Sequence, residues 1–209
     1  MKRRTSALSV SAAALLVAAP LLTGCSADSH PGAAAVVGDE RITVSQVQSR
    51  VEAVRAAQRA DDNADQLIAG TGALPLETVQ LLVRRELLER TAEDNGVSVS
   101  RRDVMDARSR VEQNFGDTEQ LEQFGLSYEG GPFTLDQLDD VLREQLLVDG
   151  LISELGDEGL GPAVAETAER LGVEINPRYG AWDYERGGFT AGDTPWLTDP
   201  AGTADTLPG

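Results

Sequence analysis

The sequence predicts a mainly α-helical domain closed by a small β element that pairs its N- and C-terminal segments. Three observations predict it. Apolar residues recur at helical spacing through most of residues 43–171. Most of those runs open on a capping residue or a proline. The strand-like pieces, 36–42 and 173–175, stand at the two ends of the helical region, and neither is long enough to be stable alone.

Val36-Val37 and Arg41-Ile42 flank Gly38-Asp39-Glu40, the pattern of a short hairpin around a glycine turn. Thr43 and Gln46 have capping-box spacing, and Val44, Val47, Val51 and Val54 then form one stripe of a helix ending near Ala60. Asp61-Asp62-Asn63 and Gly70-Thr71-Gly72 read as loop. Pro75 suits the first position of a second helix, whose apolar face is Leu76, Val79, Leu82, Val83, Leu87 and Leu88, ending at Asn95-Gly96. Val97-Ser98-Val99 is extended. Ser100 caps a third helix with Asp103 in its first turn, lined by Val104, Ala107, Val111 and Phe115 and ended by Gly116.

Residues 117–133 are expected to be irregular, with Leu121, Phe124, Leu126, Tyr128 and Phe133 spaced by Gly125, Gly130 and Gly131. Thr134 and Gln137 form another capping box, starting a helix striped by Leu135, Leu138, Leu142, Leu146 and Ile152. Residues 156–161 read as a break. Pro162 is expected to open the last helix, which Gly172 ends. Val173-Glu174-Ile175 alternates as a strand, and Pro177 stops it. Pairing 173–175 with 36–42 joins the two ends of the domain. From Tyr184 onward, Gly, Asp, Thr and Pro dominate, and residues 184–209 read as a disordered tail.

The N-terminus carries a different signal. Lys2-Arg3-Arg4 precedes a short apolar run, Ala12 to Ala19, and then Leu22-Thr23-Gly24-Cys25. A positive end, a short apolar middle and small residues at the exit make a secretory signal peptide over residues 1–24. The run is shorter than the roughly 20 residues a spanning helix needs. Leu22-Thr23-Gly24-Cys25 resembles the lipobox of bacterial lipoproteins, which implies cleavage before Cys25 and lipid on its sulfur. Residues 25–35, small and polar with Pro31-Gly32, read as the tether from that lipid to a domain at 36–183.

Composition narrows the chemistry. Cys25 is the only cysteine, His30 the only histidine and Lys2 the only lysine. The folded region therefore has no thiol nucleophile, no histidine for a catalytic triad or zinc site, and no lysine for a Schiff base. No cofactor or metal is expected, and composition leans against an enzyme. The remaining acid pairs, Asp61-Asp62, Asp139-Asp140 and Asp157-Glu158, read more simply as solvated helix ends than as catalytic carboxylates. The formal charge is −17, and −20 once Lys2, Arg3 and Arg4 are removed with residues 1–24. Such a chain repels nucleic acid and anionic headgroups. The charge keeps an extracytoplasmic protein soluble, and it would also suit basic or unfolded partners.

Residues 36–104 resemble the N-terminal domain of SurA- and PrsA-type folding factors. The resemblance rests on Val36-Val37-Gly38-Asp39-Glu40-Arg41-Ile42-Thr43, on Leu81-Leu82-Val83-Arg84-Arg85-Glu86-Leu87-Leu88, and on Ala92-Glu93-Asp94-Asn95-Gly96-Val97-Ser98-Val99-Ser100. Residues 168–183 look like the closing helix and strand of the same architecture. Many members insert a parvulin-type prolyl isomerase before that closing helix. Here the junction falls at 156–161 with nothing inserted, and the histidines of a parvulin site are missing.

The resemblance implies a chaperone body without the isomerase. The expected function is that of an extracytoplasmic lipoprotein, held on the membrane by lipid at Cys25. It would act as an ATP-independent holdase for unfolded or partly folded exported polypeptides. The alternative is an envelope assembly or scaffold lipoprotein with one folded partner. Phe115, Leu121, Phe124, Leu126, Tyr128 and Phe133 are the candidate contact residues for either, provided they are not core.

Overall fold

In the computed structural model, residues 31–128 and 130–190 are described; Cys25 and residues 191–209 lie outside them. The chain divides at Pro31, and the described residues from Gly32 onward belong to one unit. Its order is β1 (Ala33–Val37), β2 (Glu40–Thr43), α1 (Val44–Ala60), α2 (Ala64–Gly70), α3 (Leu74–Asp94), α4 (Arg101–Phe115) and α5 (Thr118–Leu126). It continues through α6 (Leu138–Leu155), α7 (Asp157–Leu171), β3 (Val173–Ile175), β4 (Ala181–Asp183) and β5 (Gly188–Thr190). The mainly α fold class is as the sequence predicts.

The β element closes as expected. β1 is the middle strand of a three-stranded antiparallel sheet, with β2 on one side and β3 on the other. Val37 faces Glu40 across the hairpin and Val173 across the closing pair. Gly38 turns the hairpin with φ of 60°, and its N–H donates to the Gly172 carbonyl at 3.1 Å. A Cβ at Gly38 would lie 3.3 Å from Leu171 Cδ2, so the glycine serves both the left-handed backbone and the close approach of α7. β1 begins at Ala33, so three residues assigned to the tether are strand instead. Ala34 and Ala35 are fully buried against α3, where a larger side chain would hold the helix off the sheet.

The helix starts at Thr43 and Ser100 form as read, whereas the Thr134–Gln137 box opens a short 3-10 turn, Leu135–Gln137, and α6 follows it from Leu138. Thr43 Oγ1 accepts from the Gln46 N–H at 3.1 Å, and Ser100 Oγ accepts from the Asp103 N–H at 3.2 Å. The central core gathers Val37 and Ile42 of the sheet, Val47 of α1, Val79, Val83 and Leu87 of α3, Ala168 of α7 and Val173 of β3. A second cluster seats Leu147 and Leu151 of α6 on Leu88 and Ala92 of α3. The buried side of α6 thus turns from Leu138 to Leu147 and Leu151, because α6 crosses α4 first and α3 later.

Four elements differ from expectation. α2 forms inside a stretch flanked by loop signals. α5 is a helix within the segment expected to be irregular: Asp117 caps it, its Oδ1 accepting from the Glu119 N–H at 2.8 Å. α7 begins at Asp157, so Pro162 lies inside it; the lost N–H falls in the second turn, where Glu158 keeps a solvent-exposed carbonyl region. Finally, the folded region runs past 183. Trp182 of β4 stacks edge-on against Phe189 of β5, centroids 5.4 Å apart, and both pack on the central core. The Tyr184 hydroxyl accepts from the Val173 N–H at 2.7 Å, fastening this hairpin to β3. The hairpin is hidden in composition because Gly187-Gly188 open a stretch rich in Gly, Asp, Thr and Pro that runs on to the last residue.

Candidate functional site

Phe115, Leu121, Phe124, Tyr128 and Phe133 converge around α5 and the end of α4, while Leu126 packs apart from them, against Val54 and Leu74. Gly116, left-handed at φ 68°, ends α4 and lets Asp117 open α5, which brings Phe124 back over Phe115. Their ring centroids lie 5.1 Å apart. Tyr128 follows α5, with its ring 5.4 Å from Phe124 and 5.7 Å from Phe133. Three of the four phenylalanines in the chain thus share one corner.

Burial divides the candidates. Leu121, Leu126 and Phe133 are buried, at 3% exposure or less, and are core. Leu121 and Phe133 pack with Leu138; Leu126 packs with Val54 and Leu74. They are removed from the contact surface for two reasons: the repeat of α5 turns Leu121 inward, and Leu126, in its last turn, is covered by Val54 and Leu74. Phe124 stays 43% exposed and Tyr128 36%, with Phe115 half-buried beneath them. An aromatic pair contributes about 0.5–1.5 kcal/mol beyond its burial, so the outer rings are held in place while their faces meet solvent.

On its other side α5 faces α2 across a groove. Two adjoining concavities, of about 380 and 250 Å³, share Asp61, Gln123 and Leu126. Leu67, Ala57 and Ala60 supply apolar lining above the buried Leu126; Asp62, Glu119 and Glu122 stand at the far end. α1 fixes the walls. Arg55 donates to Thr71 Oγ1 at 2.6 Å, to the Thr71 carbonyl at 2.5 Å and to Gln58 Oε1 at 2.7 Å, placing a cation at the C-terminal end of α2. Gln58, fully buried, donates to the Leu126 carbonyl at 3.4 Å and so reaches α5. The sequence reading missed this groove because α2 and α5 were not foreseen. The spacing Asp117–Glu119–Glu122, a cap followed by acids early in a helix, was the available signal.

The acid pairs have other roles. Asp61 Oδ1 accepts from the Asn63 N–H at 2.7 Å and shapes the turn into α2. Asp139 pairs with Arg108 at 2.7 Å. Asp140 receives Arg50 at 2.5 Å and Arg85 at 2.8 Å, joining α1, α3 and α6. Burial pushes the Asp140 carboxyl up, and the two guanidiniums outweigh it and hold it below the usual carboxylate range. Asp157 and Glu158 sit in the first turn of α7, where the helix dipole favours them. Among the described residues no three His, Cys, Asp or Glu side chains gather to hold a metal. Nor is any described helix long and apolar enough to cross a membrane.

A family model described as the SurA-like N-terminal domain matches residues 1–152. The chain belongs to that family. The match ends within α6, so α7 and the closing strand β3 lie beyond it. No curated protein and no solved structure matches the chain. The SurA-like N-terminal domain is the chaperone part of its family and not the catalytic part, and such domains are typically extracytoplasmic.

Proposed function

We propose that this SurA-like protein is an ATP-independent holdase for exported polypeptides, tethered to the outer face of the cell membrane by lipid on Cys25. One observation carries the reading: Phe124 and Tyr128 are exposed large apolar side chains, fixed by ring contacts, in a chain whose aromatic content is only 4%. Exposed apolar side chains that adjoin one another form the kind of patch through which proteins meet partners. Burial of such rings against an unfolded chain is non-directional, which suits clients of varied sequence.

The reading includes no isomerase activity. α6 ends at Leu155 and α7 begins at Asp157, leaving a single residue at the junction where many members of the resembled family insert the isomerase domain. The lone histidine, His30, precedes β1. The anchor assignment rests on the sequence of residues 1–25, and the tether then runs from Cys25 to the start of β1 at Ala33. Light scattering from an unfolded exported protein tests the function. The full chain in excess should suppress aggregation without nucleotide; unaltered scattering would refute the holdase reading. Stoichiometric capture of one folded partner, with no effect on unfolded chains, would favour a scaffold.

A further inference from the structure

We infer that the groove between α2 and α5 takes a cationic, aliphatic stretch of an unfolded polypeptide; this rests on the holdase reading and names what that protein selects. Every charged side chain lining the two concavities is a carboxylate: Asp61, Asp62, Glu119 and Glu122. Asp62, Glu119 and Glu122 make no ion pair with any described residue. Elsewhere on the fold many carboxylates are answered by arginine, as at Glu144 by Arg84, Glu89 by Arg143 and Asp140 by two guanidiniums.

The groove is also lined for apolar side chains. Leu67, Ala57 and Ala60 give it partly exposed apolar walls over the buried Leu126, and its larger part, about 380 Å³, falls in the range of sites that bury small ligands. Helical periodicity explains the combination. Glu119, Glu122, Gln123 and Leu126 share one side of α5, while Leu121 and Gly125 face the core and Phe124 faces the aromatic corner. α5 therefore presents two different surfaces to solvent. The aromatic one is formed by uncharged rings. The groove attracts basic residues and repels acidic ones, and it has an apolar place for the side chains between them.

The test is fluorescence anisotropy on the full chain in a mild non-ionic detergent, with two labelled probes: a peptide alternating arginine and leucine, and its glutamate–leucine counterpart. The basic peptide should bind and the acidic one should not. The triple variant Asp62→Asn, Glu119→Gln, Glu122→Gln should weaken the basic peptide about tenfold at low salt, the combined effect of three exposed charges. These side chains carry no hydrogen bond that the fold needs. A control triple, Glu154→Gln, Glu166→Gln, Glu169→Gln, changes net charge equally on exposed positions of α6 and α7. It should leave affinity within about twofold, because distant exposed charges are screened.

Equal losses from both triples would show a diffuse field and overturn the groove assignment, as would no loss from the first. Aggregation assays on the same proteins separate the two ideas. Wild-type suppression together with unselective peptide binding defeats the groove alone. Absent suppression together with selective peptide binding defeats the holdase reading alone.

Discussion

Phe133 folds back onto Gly125: its amide N–H donates to the Gly125 carbonyl at 2.9 Å, and a Cβ at Gly125 would lie 2.8 Å from the Phe133 carbonyl oxygen. This contact returns the chain after α5 to the helix it has just left, and so fixes Tyr128 beside Phe124. The neighbouring atoms are backbone and a buried ring, which yield little. Gly125→Ala should therefore destabilise the domain by about 1–3 kcal/mol, read from urea denaturation. A midpoint equal to wild type would show that the loop is not seated there.

The closing strand leads to a second prediction. Asn176 donates from its backbone to the Ala34 carbonyl at 2.9 Å and from its side chain to the Ala33 carbonyl at 3.1 Å, fastening the two ends of the domain. Removing residues 173–190 strips β3 from β1, takes Val173 from the central core and uncovers β1. The truncated chain should lose its cooperative thermal transition. A transition like that of the full chain would contradict closure by β3.

Asp140 sets a pH dependence. Its folded carboxyl titrates below the ordinary carboxylate value, so its contribution is complete above about pH 4 and is lost as pH falls through the lower folded value. With the side chain 42% exposed, solvent screening keeps that contribution near 1 kcal/mol. Asp140→Asn should cost about that much at neutral pH, and the gap from wild type should close in strong acid. A gap that widens on acidification would reverse the assigned sign.

The anchor has its own check. The full chain expressed in a bacterium should partition into the detergent phase, and Cys25→Ser should move it to the aqueous phase or leave it unprocessed. Two acyl chains hold where one is marginal, so the contrast should be near complete. Equal partitioning of both proteins would remove the lipid from the account.

Much of the fold was legible in the sequence because its signals are local. The helix caps at Thr43 and Ser100, the glycine turn at Gly38 and the stripe of α3 all depend on neighbours a few residues away, and all formed. The pairing of β1 with β3 was legible for another reason: neither strand could stand alone. What escaped depends on distant partners. α2 is held by Arg55 and Gln58 of α1, α5 by contacts with Val54, Leu74 and Phe133, and the β4–β5 hairpin by the central core and the Val173 backbone. The candidate site was legible as a concentration of apolar residues. Which of them face solvent followed only from α5 being a helix.

The most direct measurement compares wild type with the double variant Phe124→Ser, Tyr128→Ser in suppressing aggregation of an unfolded exported protein. The variant gives up the ring contacts with Phe115 and Phe133 and should unfold at a lower temperature, so the comparison is made well below its own melting temperature, with helical circular dichroism equal to that of wild type. The account predicts that suppression falls severalfold while the fold is retained. A folded double variant that protects the client as well as wild type would contradict it.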